Sequence, residues 1–188
     1  GRLLRFTLPT IGMMIFTSIY SVVDGFFVSN FAGKTPFAAV NLIYPFLMIL
    51  STVGLMFGTG GSAIVALTFG MGDSKRANQY FSLFVYVVAG LGVFFAILGI
   101  VLIRPIAVLL GAEGDMLKNA VLYGRIILIA LPFNVLQFLF QSFFVTAEKP
   151  KMGLTVTVMS GLTNMVLDAV LVILLPQEYK LAGAAVAT

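Results

Sequence analysis

Between Arg5 and Lys34 the only charged residue is Asp24, and from Thr35 to Gly72 there is no charge at all. A helix needs about 20 apolar residues to cross the ~30 Å hydrocarbon core of a bilayer, so these uncharged stretches predict the crossings. The first span is expected at Phe6–Ala32. The second stretch is too long for one crossing, and the cluster "GTGG" at Gly58–Gly61 is the expected break. That gives a span at Pro36–Phe57 followed by a shorter helix to Gly72. Ala77–Ile103 makes the third span, and the punctuated "RPIAVLLGAEGD" reads as an interfacial connector. A fourth span runs from Met116 to Thr146 with Pro132 as a kink, a fifth from Lys151 to Leu175, and a sixth begins at Leu181. The pattern predicts an all-α polytopic membrane protein.

Composition sharpens this reading. Of the 188 residues, 60% are hydrophobic and only 10% charged, with a mean hydropathy of +1.10. Soluble domains carry roughly 25% charged residues, and a water-facing domain of this size could not hide so much apolar surface. There is no Cys, hence no disulfide framework or thiolate site. There is no His, which removes the usual general base and transition-metal ligand. "GTGG" neither follows a strand nor precedes Lys-Ser/Thr, so it is no phosphate loop, and nothing in the chain supports enzyme chemistry. The net charge of +4 is spread over short connectors, which excludes a basic face for nucleic acid.

The same connectors predict orientation. Arg2, Arg5, Lys75, Arg76, Lys149 and Lys151 fall on one side, and Lys34, Arg104, Lys118 and Lys180 on the other. The richer side is the cytoplasmic candidate, which puts the N-terminus inside. The chain opens at Gly1 and stops at Thr188 within "LAGAAVAT", so a fragment truncated in its sixth span is expected.

Two carboxylates, Asp24 and Asp168, lie inside predicted spans, where an Asp costs about 2.5–3.5 kcal/mol even on lenient insertion scales. Counting ~1.5 Å per helical residue from the outer connectors gives depths of ~15 Å for Asp24, ~12 Å for Asp168 and Thr188, and ~8 Å for Tyr123. Four polar groups from four spans thus share a layer. Asn164 and Asp168 are four apart and share one helix face. Such oxygens suit a hard cation or a shared proton; the alternative is neutral side chains bonded between helices as packing glue. A second set, Asn134, Gln137 and Gln141 on span four with Thr17 and Ser21 on span one, either lines a watery cavity or bonds across helices. Arg125 is expected to reach outward or to pair with Glu113 or Asp115.

The first span "LPTIGMMIFTSIYSVVDGFFVSNFAG" resembles the opening of the multidrug and toxic compound extrusion (MATE) transporters, as does "AAVNLIYPF". "YGRIILIALPF" with "TAEKPKMGL" is similar to the family's fourth span and inner connector, and "NMVLDAVLVI" with "LAGAAVAT" to its fifth and sixth. The resemblance implies the N-terminal six-helix bundle of a twelve-helix transporter, lacking most of helix six and the C-terminal lobe. It implies an antiporter in the cell membrane exporting cationic amphipathic or other xenobiotic compounds, driven by H⁺ or Na⁺, with no cofactor. It marks Asp24, Asn164, Asp168, Tyr123 and Thr188 as the cation- or proton-binding set, with Na⁺ at Asp24, Asn164 and Asp168. It places Thr17, Gln137 and Gln141 near the substrate cavity. The competing readings are a lipid-linked saccharide flippase of the same superfamily, which would need more basic residues than Arg125 in its cavity, and a non-transporting membrane scaffold.

Overall fold

In lipid a backbone N–H or C=O has no water to bond, so each crossing segment must satisfy its own polar groups. Among the described residues the chain does this with six α-helices: α1 (Arg2–Phe27), α2 (Lys34–Gly70), α3 (Ser74–Leu109), α4 (Gly114–Thr146), α5 (Pro150–Leu174) and α6 (Lys180–Ala187). This is a computed structural model that describes residues 2–27, 29–30, 33–147, 149–176 and 179–187, without the side chains at 2–6, 20, 24, 27, 150, 172 and 173. Among the described residues, α2, α3, α4 and the Lys151–Leu171 part of α5 are long and apolar enough to cross a membrane.

The connections are tight. After α2 the chain turns at Gly72 (φ 82°), and Asp73 then caps α3 by accepting the Arg76 N–H at 2.9 Å. After α3 it turns at Gly111 (φ 94°), and the Ala112 N–H donates back to the Ala107 carbonyl at 2.9 Å, the bonding of a glycine-terminated helix. α3 therefore runs on through Arg104 and Pro105 to Leu109, and the true connector is only Leu110–Glu113. The longer connector expected from "RPIAVLLGAEGD" is thereby corrected: its apolar half continues the helix.

A second correction concerns "GTGG". α2 passes through Gly58–Gly61 without a break. Glycine punctuates chains in water, but in lipid an interrupted helix would strand polar groups, and glycine instead lets helices approach closely. A methyl group added at Gly58 would stand 2.8 Å from Ser142 Oγ and 3.1 Å from the Phe138 carbonyl oxygen of α4. One at Gly54 would stand 2.7 Å from Val135 Cα, and one at Gly92 of α3 would stand 2.9 Å from Pro132 Cα.

α2, α3 and α4 thus form a tightly joined trio, with Ile43, Val88, Ile103, Leu128, Leu131 and Leu139 at its centre. α1 packs on α5, and α6 links α5 to α4, while α4 and α5 meet only lightly. Ile49, Leu67, Ile97 and Val101 stay exposed on the outside, as expected where the surrounding medium is hydrocarbon.

Gly54→Leu is expected to destabilise the protein by about 1–3 kcal/mol through overpacking in mixed-micelle denaturation. Gly60→Leu, at a position with nothing within 4 Å, is expected to change stability by less than about 0.5 kcal/mol.

Candidate functional site

The buried positions of α5 are Gly153, Thr157, Gly161, Asn164 and Asp168. Their spacing of three and four puts them on one face. The two glycines admit α1: a methyl at Gly153 would meet Met13 Sδ at 3.3 Å, and one at Gly161 would meet Phe16 Cε1 at 2.5 Å. Gly12 on α1 faces the Leu154 side chain at 3.5 Å. Contact positions rise together along both helices, so α1 and α5 run in the same direction. Continued by helical rise alone, this register takes position 24 of α1 to the level of Asp168. The Asp24 side chain itself lies outside the described residues.

Asp168 has no solvent exposure, and Asn164 is 8% exposed. The Asn164 Nδ2 donates to the Ala187 carbonyl oxygen of α6 at 2.9 Å. A carbonyl can only accept, which fixes the amide orientation. Asn164 Oδ1 is thereby left buried, with no hydrogen-bond partner among the described residues. One helical turn apart, a carboxylate and an amide oxygen offer acceptors and no donor, the donor set that suits a hard cation or, with the carboxyl protonated, a held proton. Among the described residues no group of three or more His, Cys, Asp or Glu is gathered, so a cation here would rely on these two and on oxygens from neighbouring helices.

Tyr123 of α4 is 5% exposed and belongs to the buried cluster that also contains Leu181, Ala184 and Ala185 of α6. Thr188 lies outside the described residues; Ala187, just before it, is the residue bonded to Asn164. Thr17 is half-buried, and its carbonyl accepts the Ser21 hydroxyl at 3.0 Å. That pair bonds within its own helix, and neither residue lines a pocket described here.

Gln137 and Gln141 do share a cavity. It has a volume of about 430 Å³ and lies between α4 and α5, where those helices meet lightly, with Phe140, Phe144, Thr157 and Ser160 among its walls. Among the described residues no charged side chain lines it. Gln141 Nε2 donates to Thr157 Oγ1 across the gap at 3.2 Å. Asn134, on the same helix, is half-buried with its Oδ1 unpartnered among the described residues. Thr157 and Ser160 were not expected from sequence. The signal for Thr157 was its place on the α5 stripe, four residues before Gly161 and seven before Asn164.

Apolar helices, a buried carboxylate on α5 and a cavity that presents Gln137, Gln141, Thr157 and Ser160 among apolar walls define a helical membrane bundle with polar groups held inside it. The MatE family model matches residues 9–170, and the chain belongs to that family, whose members are transporters rather than enzymes. The chain is similar to the multidrug export protein MepA of Staphylococcus saprophyticus, 25% identical over 186 residues that cover 99% of this chain and 41% of that protein. It is similar to MepA of Staphylococcus aureus at 24% identity, with the same coverage. Among solved structures, a MATE in complex with MaD3S superposes with a TM-score of 0.90 at 24% identity, covering 98% of this chain and 41% of that one. A MOP superfamily transporter from Pyrococcus furiosus superposes at 0.88 with 26% identity, covering 98% and 40%. The chain therefore spans about 41% of the length of the curated relatives it matches.

Thr157→Val is expected to lower stability by about 0.6 kcal/mol, the average for hydrogen bonds between membrane helices, and by no more than about 1.7 kcal/mol. A double-mutant cycle with Gln141→Leu, read by denaturation in mixed micelles, should return a coupling of the same sign and size.

Proposed function

We propose that the protein carrying this chain is a secondary active antiporter that exports cationic amphipathic or other xenobiotic compounds across the cell membrane in exchange for H⁺ or Na⁺. The carrying observation is Asp168: a carboxylate without solvent exposure, on one helix face with an amide oxygen that has no hydrogen-bond partner among the described residues. A buried carboxylate is expensive and, in a membrane helix, is a functional group by default. The relatives named multidrug export proteins support the export reading.

In this mechanism Asp24, Asn164, Asp168, Tyr123 and Thr188 form the ion or proton site, and Gln137 and Gln141 face the substrate. When Asp24 and Asp168 are ionised, their repulsion and hydration favour a state able to hold a cation. Entry of H⁺ or Na⁺ removes that charge, shifts α1 against α5 and expels the substrate, giving alternating access with the N-terminus on the cytoplasmic side. A C-terminal lobe completes the pathway. Among the described residues the α4–α5 cavity lining carries no charge and is largely apolar, with Gln137, Gln141, Thr157 and Ser160 as its polar groups, which favours an amphipathic organic cation over the pyrophosphate of a lipid-linked saccharide.

Asp168→Asn and Asp24→Asn are each expected to reduce driven efflux of a fluorescent cation more than ten-fold without lowering the amount of protein in the membrane. Wild-type efflux from both variants would overturn the assignment. Replacing Na⁺ by choline at a fixed pH gradient decides the ion: efflux persists if the coupling ion is H⁺ and stops if it is Na⁺.

A further inference from the structure

A second and larger cavity lies away from the α5 stripe. It has a volume of about 840 Å³ and sits among the C-terminal end of α2, the start of α3 and the end of α4. This is within the ~300–1,000 Å³ range of small-molecule sites. Phe69, Phe81, Phe140, Phe143 and Phe144 supply five of its twelve lining residues, and among the described residues Lys149 is the charged one. From Lys149 back to Phe140 is nine residues, or ~14 Å along the chain if taken at helical rise, about half of the ~30 Å hydrocarbon core. The cavity therefore extends from the end of the bundle, where the connectors lie, to the depth of acyl chains, with Lys149, the charge among its described lining residues, at the connector end.

That end of the bundle is also where basic residues gather. Lys75, Arg76, Lys149 and Lys151 stand in the α2–α3 and α4–α5 connectors and adjoining first turns, against Asp73 and Glu148. Of these, Arg76 is turned toward Asp73 at 4.0 Å. A cationic solute gains nothing from a cavity with a lysine at its mouth, so this volume is not a second copy of the neutral α4–α5 cavity. An amphiphile with an anionic head at Lys149 and an acyl chain against the phenylalanines satisfies both its ends.

We propose that this cavity holds one anionic phospholipid from the leaflet on the Lys75–Lys149 side, with its phosphate at Lys149 and one acyl chain along Phe69, Phe81 and Phe140. The lipid site does not rest on the ion and substrate assignments above, although Phe140 and Phe144 also line the α4–α5 cavity. Native mass spectrometry of the detergent-purified full-length protein, incubated with phosphatidylglycerol or phosphatidylcholine of identical chains, tests it. The wild type is expected to retain one phosphatidylglycerol in preference to phosphatidylcholine. Lys149→Gln should lower that preference about five-fold, as for loss of one basic group near an anionic lipid surface, and Lys149→Arg should keep it. Ala66→Trp, which fills the cavity from an exposed lining position, should remove the retained lipid. Lys118→Gln, at the opposite end of the bundle, should change nothing. Equal retention of the two lipids, an unchanged Lys149→Gln or Ala66→Trp variant, or an equal loss in Lys118→Gln would each overturn the proposal.

Discussion

Helix association in this chain depends on how closely backbones can approach. Lipid tails are as apolar as the side chains they would replace, so burial alone gives helices little reason to join, and dispersion contacts at short range must do it. The glycines of α2 and α3 meet this constraint: Gly54, Gly58 and Gly92 each stand where even one added methyl would collide with α4. Three helices are held in close contact as a result. The constraint also explains the space beside them, because α4 presents Gln137 and Gln141 rather than glycine to α5, and a cavity remains where close approach is not enforced.

Much of this was legible in sequence. Charge-free runs located the helices, because charge is what hydrocarbon excludes most strongly, and one helical turn between Asn164 and Asp168 put them on a common face. The resemblance of ordered segments pointed to the family that the MatE match then showed. The glycine cluster was misread because the rule that glycine ends helices belongs to water, where an opened backbone can be solvated. Pro105 misled similarly: it removes one backbone bond from α3 yet leaves the helix continuous to Leu109.

The site was less legible than the fold. Asp168 was found because a carboxylate in a long apolar run is conspicuous. Thr157 was missed because a lone threonine in a membrane helix ordinarily bonds its own backbone, as Thr155 and Thr163 do here. Its bond to Gln141 depends on how α4 and α5 lie together, which no spacing rule within one helix contains. Nor does local sequence contain the Asn164 bond to Ala187, which joins positions 23 residues apart.

Phe140 and Phe144 belong to the walls of both cavities. The two volumes are therefore not independent quantities: a ring rotation that widens one chamber narrows the other. A substitution at either phenylalanine perturbs both chambers at once and cannot be attributed to one. Two molecules bound on opposite sides of this partition could oppose each other without sharing a single contact, and kinetically that would look like mixed rather than competitive inhibition.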